Sequence, residues 1–356
     1  MKIGLARQNA VIWVQTYAQK EEGYLGAYFS GSTVGRSDLD MLPVGSDIDV
    51  VVVREGEKAP AKPGKIRFRD TLIEITYLAS QQLESVEDVL RSYHLAGSFR
   101  VNTLIDDPTG RLSLLQKQVS EHFAEKKWVQ LRCEEARNRI VTGLRSLDPA
   151  APLYEQATAW LFPTGVMTHV ILVAALRNPT VRLRYLAARK VLTEYGLDEV
   201  YPQLLTLLGC GDWTADQVEH HLEGLERTFD AAASAARTPF FFSSDITPEA
   251  RSIAIDGSRE LIHAGNHREA VFWIVATYAR CHQILAVDAS TEMQHSLEPA
   301  FHALLADLGI HTSGELVLRS QEVIRFMPEL WKIAEKIMLA NPDITDQSSG
   351  HATFRN

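Results

Sequence analysis

The sequence predicts an α+β protein, a small mixed β-sheet domain over residues 1–115 followed by an α-helical bundle over residues 116–340. Three observations predict it. Short β-branched runs bounded by Gly, Asp and Pro crowd the first third of the chain, as strands and turns do. Almost everything after residue 115 repeats its apolar residues at three- and four-residue spacing, the period of amphipathic helices. A chain of 356 residues with 46% apolar content exceeds the usual span of a single core, so two domains are expected.

In order along the chain, residues 6–20 carry a helical period, and residues 24–29 form a strand that ends at the small residues Ser30, Gly31 and Ser32. A helix is expected to open at Thr33. Residues 47–53 make the strongest strand, because the continuous Val50-Val51-Val52-Val53 run suits the doubly buried middle of a sheet. Residues 66–68 and 72–78 pair as a hairpin turning at Arg69-Asp70. Residues 101–105 supply a last strand before Asp106-Asp107-Pro108-Thr109-Gly110 stops it.

Helices are expected over residues 118–144, 153–176, 181–195, 215–236, 269–287 and 321–340. Stops fall at Asn178-Pro179, Gly196, Gly209-Cys210-Gly211 and a linker over residues 238–248 rich in Ser, Pro and Phe. The polar, aperiodic tail over residues 341–356 is expected to fray.

Composition excludes several classes. No apolar run approaches the roughly 18 residues of a bilayer crossing, and the first 20 residues lack the pattern of a signal peptide, so a cytoplasmic protein without membrane contact is expected. Cys133, Cys210 and Cys281 lie too far apart for a disulfide framework or a zinc knuckle, and are expected as buried thiols. A net charge of -9 argues against a duplex nucleic-acid partner and favours small molecules, cationic ones above all.

The chemistry concentrates near the N-terminus. Asp47 and Asp49 are two apart on the strongest strand, so their carboxylates share a face. Two like charges side by side are costly unless a cation lies between them, and an all-oxygen site with few carboxylates suits magnesium bound together with substrate phosphates. Gly31-Ser32 closes the preceding strand where free amides and a hydroxyl can face a phosphate. Glu74 sits within an otherwise apolar or β-branched strand and needs a partner, which the same cluster would supply.

Phe29-Ser30-Gly31-Ser32-Thr33-Val34-Gly35-Arg36 followed by Ser46-Asp47-Ile48-Asp49-Val50-Val51-Val52 resembles the signature of the polymerase-β-type nucleotidyltransferase superfamily. Within it the sequence is most similar to stand-alone bacterial aminoglycoside and lincosamide nucleotidyltransferases, which join such a domain to a helical bundle. The resemblance implies that Asp47 and Asp49 bind magnesium, that Gly31 and Ser32 hold nucleotide phosphates, and that Glu74 is the third carboxylate, as metal ligand or as general base. Arg36 would steady the triphosphate. Fourteen residues separate Ser32 from Asp47, a few more than is usual in the family, which bears on Arg36 alone. The motifs cover about the first 80 residues; the helical half is similar only in kind.

The expected activity is magnesium-dependent transfer of a nucleoside monophosphate, AMP from ATP, to a hydroxyl of a small-molecule acceptor with release of pyrophosphate. The alternatives are nucleotidylation of a protein or RNA, and a non-catalytic nucleotide-binding module. Elsewhere, Arg182, Arg184 and Tyr185 form either a phosphate grip or a solvated basic face. Phe240-Phe241-Phe242 with Trp273 and Tyr278 form either a pocket at the domain seam or core. His263 and His267 have the spacing of a metal-binding helix but lack its Glu, and His169, His220, His221 and His282 have no carboxylate or thiolate at ligand spacing.

Overall fold

A computed structural model describes residues 1–43 and 45–346. Its sheet holds five strands, β1 (Tyr24–Ser30), β2 (Ile48–Arg54), β3 (Gly64–Phe68), β4 (Thr71–Ala79) and β5 (Leu104–Asp106), in the order β3-β4-β2-β1-β5. β2 runs parallel to β4 and every other pair is antiparallel, so the sheet is mixed. The valine run is central because both faces of β2 are covered. Val50 and Val52 pack under helix α1 (Ile3–Thr16), while Val53 joins a second cluster on the opposite face with Tyr28 and Phe99.

The β3–β4 hairpin turns at Arg69 and Asp70, both at positive φ (47° and 61°), as a two-residue turn between right-twisted strands requires. Neither residue is glycine, and Asn9 on α1 secures the turn by donating from Nδ2 to the Arg69 carbonyl at 3.1 Å and to the Thr71 hydroxyl at 2.9 Å. The last strand, Leu104–Asp106, is shorter than residues 101–105 suggested, although the Thr103 carbonyl ahead of it also accepts from the Phe29 amide of β1 at 2.9 Å.

Helices α2 (Val86–Arg91), α3 (Ala96–Phe99) and α4 (Arg111–His122) complete the sheet half, with Leu112, Leu115 and Val119 of α4 packed on its second face. Then follow α5 (Lys126–Arg145), α6 (Leu153–Ala174), α7 (Arg184–Glu194), α8 (Tyr201–Leu208), α9 (Ala215–Ala235), α10 (Gly257–His263), α11 (His267–Asp288), α12 (Thr291–Asp307) and α13 (Ser313–Ala340). They share one continuous apolar core centred on Trp160, Phe229, Phe272 and Leu285.

Two helices differ markedly from the sequence expectation. The helix expected over residues 118–144 is two helices, and no Gly or Pro marks the break. Arg132 makes it possible, its buried guanidinium donating to the Phe123 carbonyl at 2.6 Å and the Leu90 carbonyl at 2.9 Å, which satisfies a helix end that would otherwise be orphaned. The last helix begins at Ser313, ahead of the expected residue 321, on a capping box in which Thr312 and Glu315 exchange side-chain and backbone hydrogen bonds. Of the tail expected to fray, residues 347–356 lie outside the described part.

Two helices, α6 and α11, do have the length and hydropathy of a bilayer span, contrary to the expectation from apolar runs alone. Their most apolar stretches are 78% and 83% buried within the protein, so they are hydrophobic all round because neighbouring helices surround them.

Candidate active site

The hairpin register and the parallel β2–β4 pairing together align one row of polar residues across four strands. Ser30 on β1 faces Asp49 on β2, Asp49 faces Glu74 on β4, and Glu74 faces Lys65 on β3. Asp47 lies just ahead of β2, on the same side as Asp49 because strand side chains alternate. Carboxylate oxygens of Asp47, Asp49 and Glu74 lie within 4.8 Å of one another, a spacing that can hold a metal ion. These three acids, with Gly31 and Ser32, line one cavity of about 150 Å³.

The Gly31-Ser32 turn is built differently from expectation. No α-helix opens at Thr33; Gly31–Thr33 is a single 3₁₀ turn that ends at Val34. The Ser32 backbone lies against the Asp49 carboxylate and opposes the rise in its pKa. Gly31 is required here twice over: its φ is +70°, and a Cβ would overlap the Asp49 carboxylate. Gly31→Ala should therefore displace Asp49 and cost about 1–3 kcal/mol, read as a lower denaturant midpoint; an unchanged midpoint would show that the turn does not hold Asp49.

Crowded, buried carboxylates dominate the electrostatics of the cavity, with Lys65 and Arg182 beside them. Burial pushes the Asp49 carboxyl well above its ordinary range, and the charges of Asp47 and Glu74 add to the shift. Asp47 is raised for the same first reason, against the pull of Lys65. Burial would raise Glu74 too, but Lys65 and Lys62 outweigh it and hold its carboxyl at about 2.

The partner that Glu74 required is thus a pair of lysines, Lys62 Nζ at 2.7 Å and Lys65 Nζ at 2.6 Å. Lys65 also meets Asp245 at 2.7 Å and Asp47 at 3.5 Å, and burial, which opposes its charge, is outweighed by these three carboxylates.

Lys65 and Asp245 are the residues sequence reasoning missed. Lys65 was within reach, since a two-residue turn at Arg69-Asp70 pairs Phe68 with Thr71 and therefore Lys65 with Glu74. Asp245 gave no local signal. It lies in the segment expected to be only a linker, held between Lys65 and Arg280 Nη1 at 2.7 Å each, and so joins the helical half to the acid row.

Arg36 is not brought to the cavity. It sits on an exposed loop and pairs with Asp40 at 3.4 Å, because the long Ser32–Asp47 connection carries it to a separate surface cleft. The basic cluster after Pro179 is split. Arg182 lines the acid cavity and feels Asp47, Arg184 turns to a neighbouring chamber, and Tyr185 is core. The aromatic group is split as well, with Trp273 on the cavity wall, Phe242 and Tyr278 buried, and Phe241 exposed. The loop between α6 and α7 closes over the turn, where Asn178 Nδ2 donates to the Gly31 carbonyl at 3.4 Å.

Among the described residues, Asp47, Asp49 and Glu74 are the one group of three or more potential ligands close enough to hold a metal. His267 is occupied by the Trp213 carbonyl at 2.9 Å, and His169 by the Thr180 carbonyl at 2.9 Å. His221 does meet a carboxylate, Asp307 at 2.8 Å, supplied from far along the chain. Cys133, Cys210 and Cys281 are buried free thiols.

No protein-family model matches this chain, and no curated protein or solved structure does. What the acid row can do is therefore argued from its own geometry.

Proposed function

We propose that this protein transfers a nucleoside monophosphate from a nucleoside triphosphate, AMP from ATP, to a hydroxyl of a small-molecule acceptor. The observation that carries the reading is the convergence of Asp47, Asp49 and Glu74 beside the Gly31-Ser32 turn in one cavity. The resemblance of those two motifs to polymerase-β-type nucleotidyltransferases supports it. So does the fit of the residues to magnesium, since the three donors are carboxylates and their crowded charges already attract a cation, Lys65.

Asp47 and Asp49, with Glu74 as the third acid, would hold the ion. Bound there, magnesium would supply charge neutralisation for the phosphates and help to align them with an attacking oxygen. The chain's own residues do the rest. The missing side chain of Gly31 leaves room for the Asp49 carboxylate against the turn and so sets that acid beside the phosphates. Arg182 adds positive charge to the same wall, and Trp273 helps to exclude water. In the reaction the acceptor oxygen forms a bond to the α-phosphorus and the bond from that phosphorus to the bridging oxygen breaks. That electron pair leaves with pyrophosphate, and the hydroxyl proton passes to a base. A nucleoside triphosphate donor would agree with the cytoplasmic location expected from the sequence.

The test is pyrophosphate release from each labelled nucleoside triphosphate with magnesium, against an aminoglycoside and lincosamide panel, beside an Asp47→Asn/Asp49→Asn control. Release that depends on one acceptor and vanishes in the control supports the reading. Release undiminished by the double substitution overturns the mechanism. Labelling of the protein itself or of a co-purifying RNA moves the acceptor to a macromolecule.

A further inference from the structure

On the far side of the Gly31-Ser32 turn lies a second cavity of about 550 Å³, and the two cavities meet at Gly31, Pro179 and Val181. Its charge is of one sign. Arg139, Arg184 and Arg280 line it beside His94 and His169, whose protonation burial disfavours, and among the described lining residues there is no Asp or Glu. That is unexpected in a chain whose net charge is -9.

Arg184 is the informative member. It is 2% exposed, its Nε donates to the Val181 carbonyl at 2.8 Å, and its guanidinium lies 4.0 Å from the centre of the Phe272 ring. Its Nη1 has no hydrogen-bond partner among the described residues. Space is kept for it, because a Cβ at Gly165 would overlap both that nitrogen and Phe272. Burial draws the guanidinium down only to about 10, so it carries its charge at neutral pH. A buried cation without an opposite charge is costly and is retained where something anionic completes it. Arg280, by contrast, is already neutralised by Asp245.

We propose that this chamber is an anion site whose occupant is the oligophosphate of a nucleotide, with Arg184 and Arg139 as its counter-charges. The identity of the occupant rests on the nucleotidyl-transfer reading; the anion site does not. The chamber opens at Ser30 and Gly31, on the β1 side of the acid row, whereas Glu74 and Lys65 lie on the β4–β3 side. In-line displacement sets leaving group and attacking hydroxyl on opposite sides of the phosphorus. The departing pyrophosphate then belongs on the arginine side and the acceptor hydroxyl on the Glu74 side. Tyr93, Phe162 and Val166 give the chamber apolar and aromatic wall for the nucleoside. Arg fits this task because its planar fork can engage two phosphate oxygens at once.

The experiment is calorimetric titration of the full chain with inorganic tripolyphosphate in the absence of metal, repeated with ATP and magnesium, and with glucose 6-phosphate as a phosphate monoester. The variants are Arg139→Gln, Arg184→Lys and Asp47→Asn. Arg139 is exposed at the rim, so its substitution leaves the core untouched.

Tripolyphosphate should bind wild type and Asp47→Asn, and bind about ten-fold more weakly to Arg139→Gln and Arg184→Lys, as loss of a charge-assisted contact predicts. No binding to wild type, or undiminished binding to Arg139→Gln, overturns the anion site. The monoester binding as tightly as tripolyphosphate overturns the oligophosphate and makes the occupant an anionic acceptor; so do arginine variants that raise the KM of the acceptor alone. Arginine-dependent tripolyphosphate binding in a protein that turns over no nucleotide upholds the anion site and rejects the transfer reading.

Discussion

Asp49→Asn is expected to abolish nucleotidyl transfer while making the protein harder to unfold. Asp49 is the most perturbed acid of the row. Burial and the nearby charges of Asp47 and Glu74 all raise it, opposed by Lys65 and the Ser32 backbone. Asparagine keeps the shape and an acceptor oxygen beside that backbone but removes the charge that crowds its neighbours. The stability gained should be about 0.5–2 kcal/mol, the usual return for relieving a functional site, read as a melting temperature higher by a few degrees. Activity should fall on the order of 10³-fold, because a metal clamp is worth several kcal/mol to the transition state. Transfer surviving within about ten-fold of wild type would sink the assignment of Asp49. A lower melting temperature would instead make its carboxylate a structural anchor for the Gly31-Ser32 turn.

Lys65→Met should have the largest effect on stability of any single change at the site. Its side chain is 5% exposed and its ammonium is shared among Asp47, Glu74 and Asp245. Removing it leaves Asp47 without a cation, Glu74 with Lys62 alone and Asp245 with Arg280 alone, and breaking a buried pair costs about 3–5 kcal/mol. The pH dependence should change with it. In wild type the depressed pKa of Glu74 stabilises the fold above its ordinary 4.5, and that stability is lost as the pH falls toward about 2. In the variant Glu74 keeps Lys62, but Asp47 and Asp49, already raised by burial, lose the opposing pull of Lys65 and titrate further above their unfolded values, so their protonation on acidification contributes stability. Magnesium should then stabilise Lys65→Met more than wild type, since the ion replaces the missing cation; about 2.7 kcal/mol is available at a hundred-fold excess over its Kd. A melting temperature of Lys65→Met that ignores both magnesium and pH would remove the case for a cation site.

Much of this was legible along the chain. The Val50–Val53 run named the central strand, and Arg69-Asp70 named the hairpin turn, because each depends on local chemistry of a few residues. Gly31, Ser32, Asp47, Asp49 and Glu74 were legible together for the same reason, as every one of them sits at a strand end or on a strand face whose period is two. Arg36 was misplaced because loop length says little about where a loop goes. The break at residues 123–125 was hidden because the group that satisfies it, Arg132, acts from the following helix.

The sequence by itself determined the α+β class, the mixed sheet and the acid row, since strand alternation and turn chemistry are local and sterically enforced. Only the tertiary structure decided what faces that row. It drew Lys65 and Asp245 onto Glu74, sent Arg182 to one side of the Gly31-Ser32 turn and Arg184 to the other, and left Arg184 buried without a partner among the described residues. The physical reason is that charge pairing and burial are settled between segments far apart in the chain, where no periodicity records them.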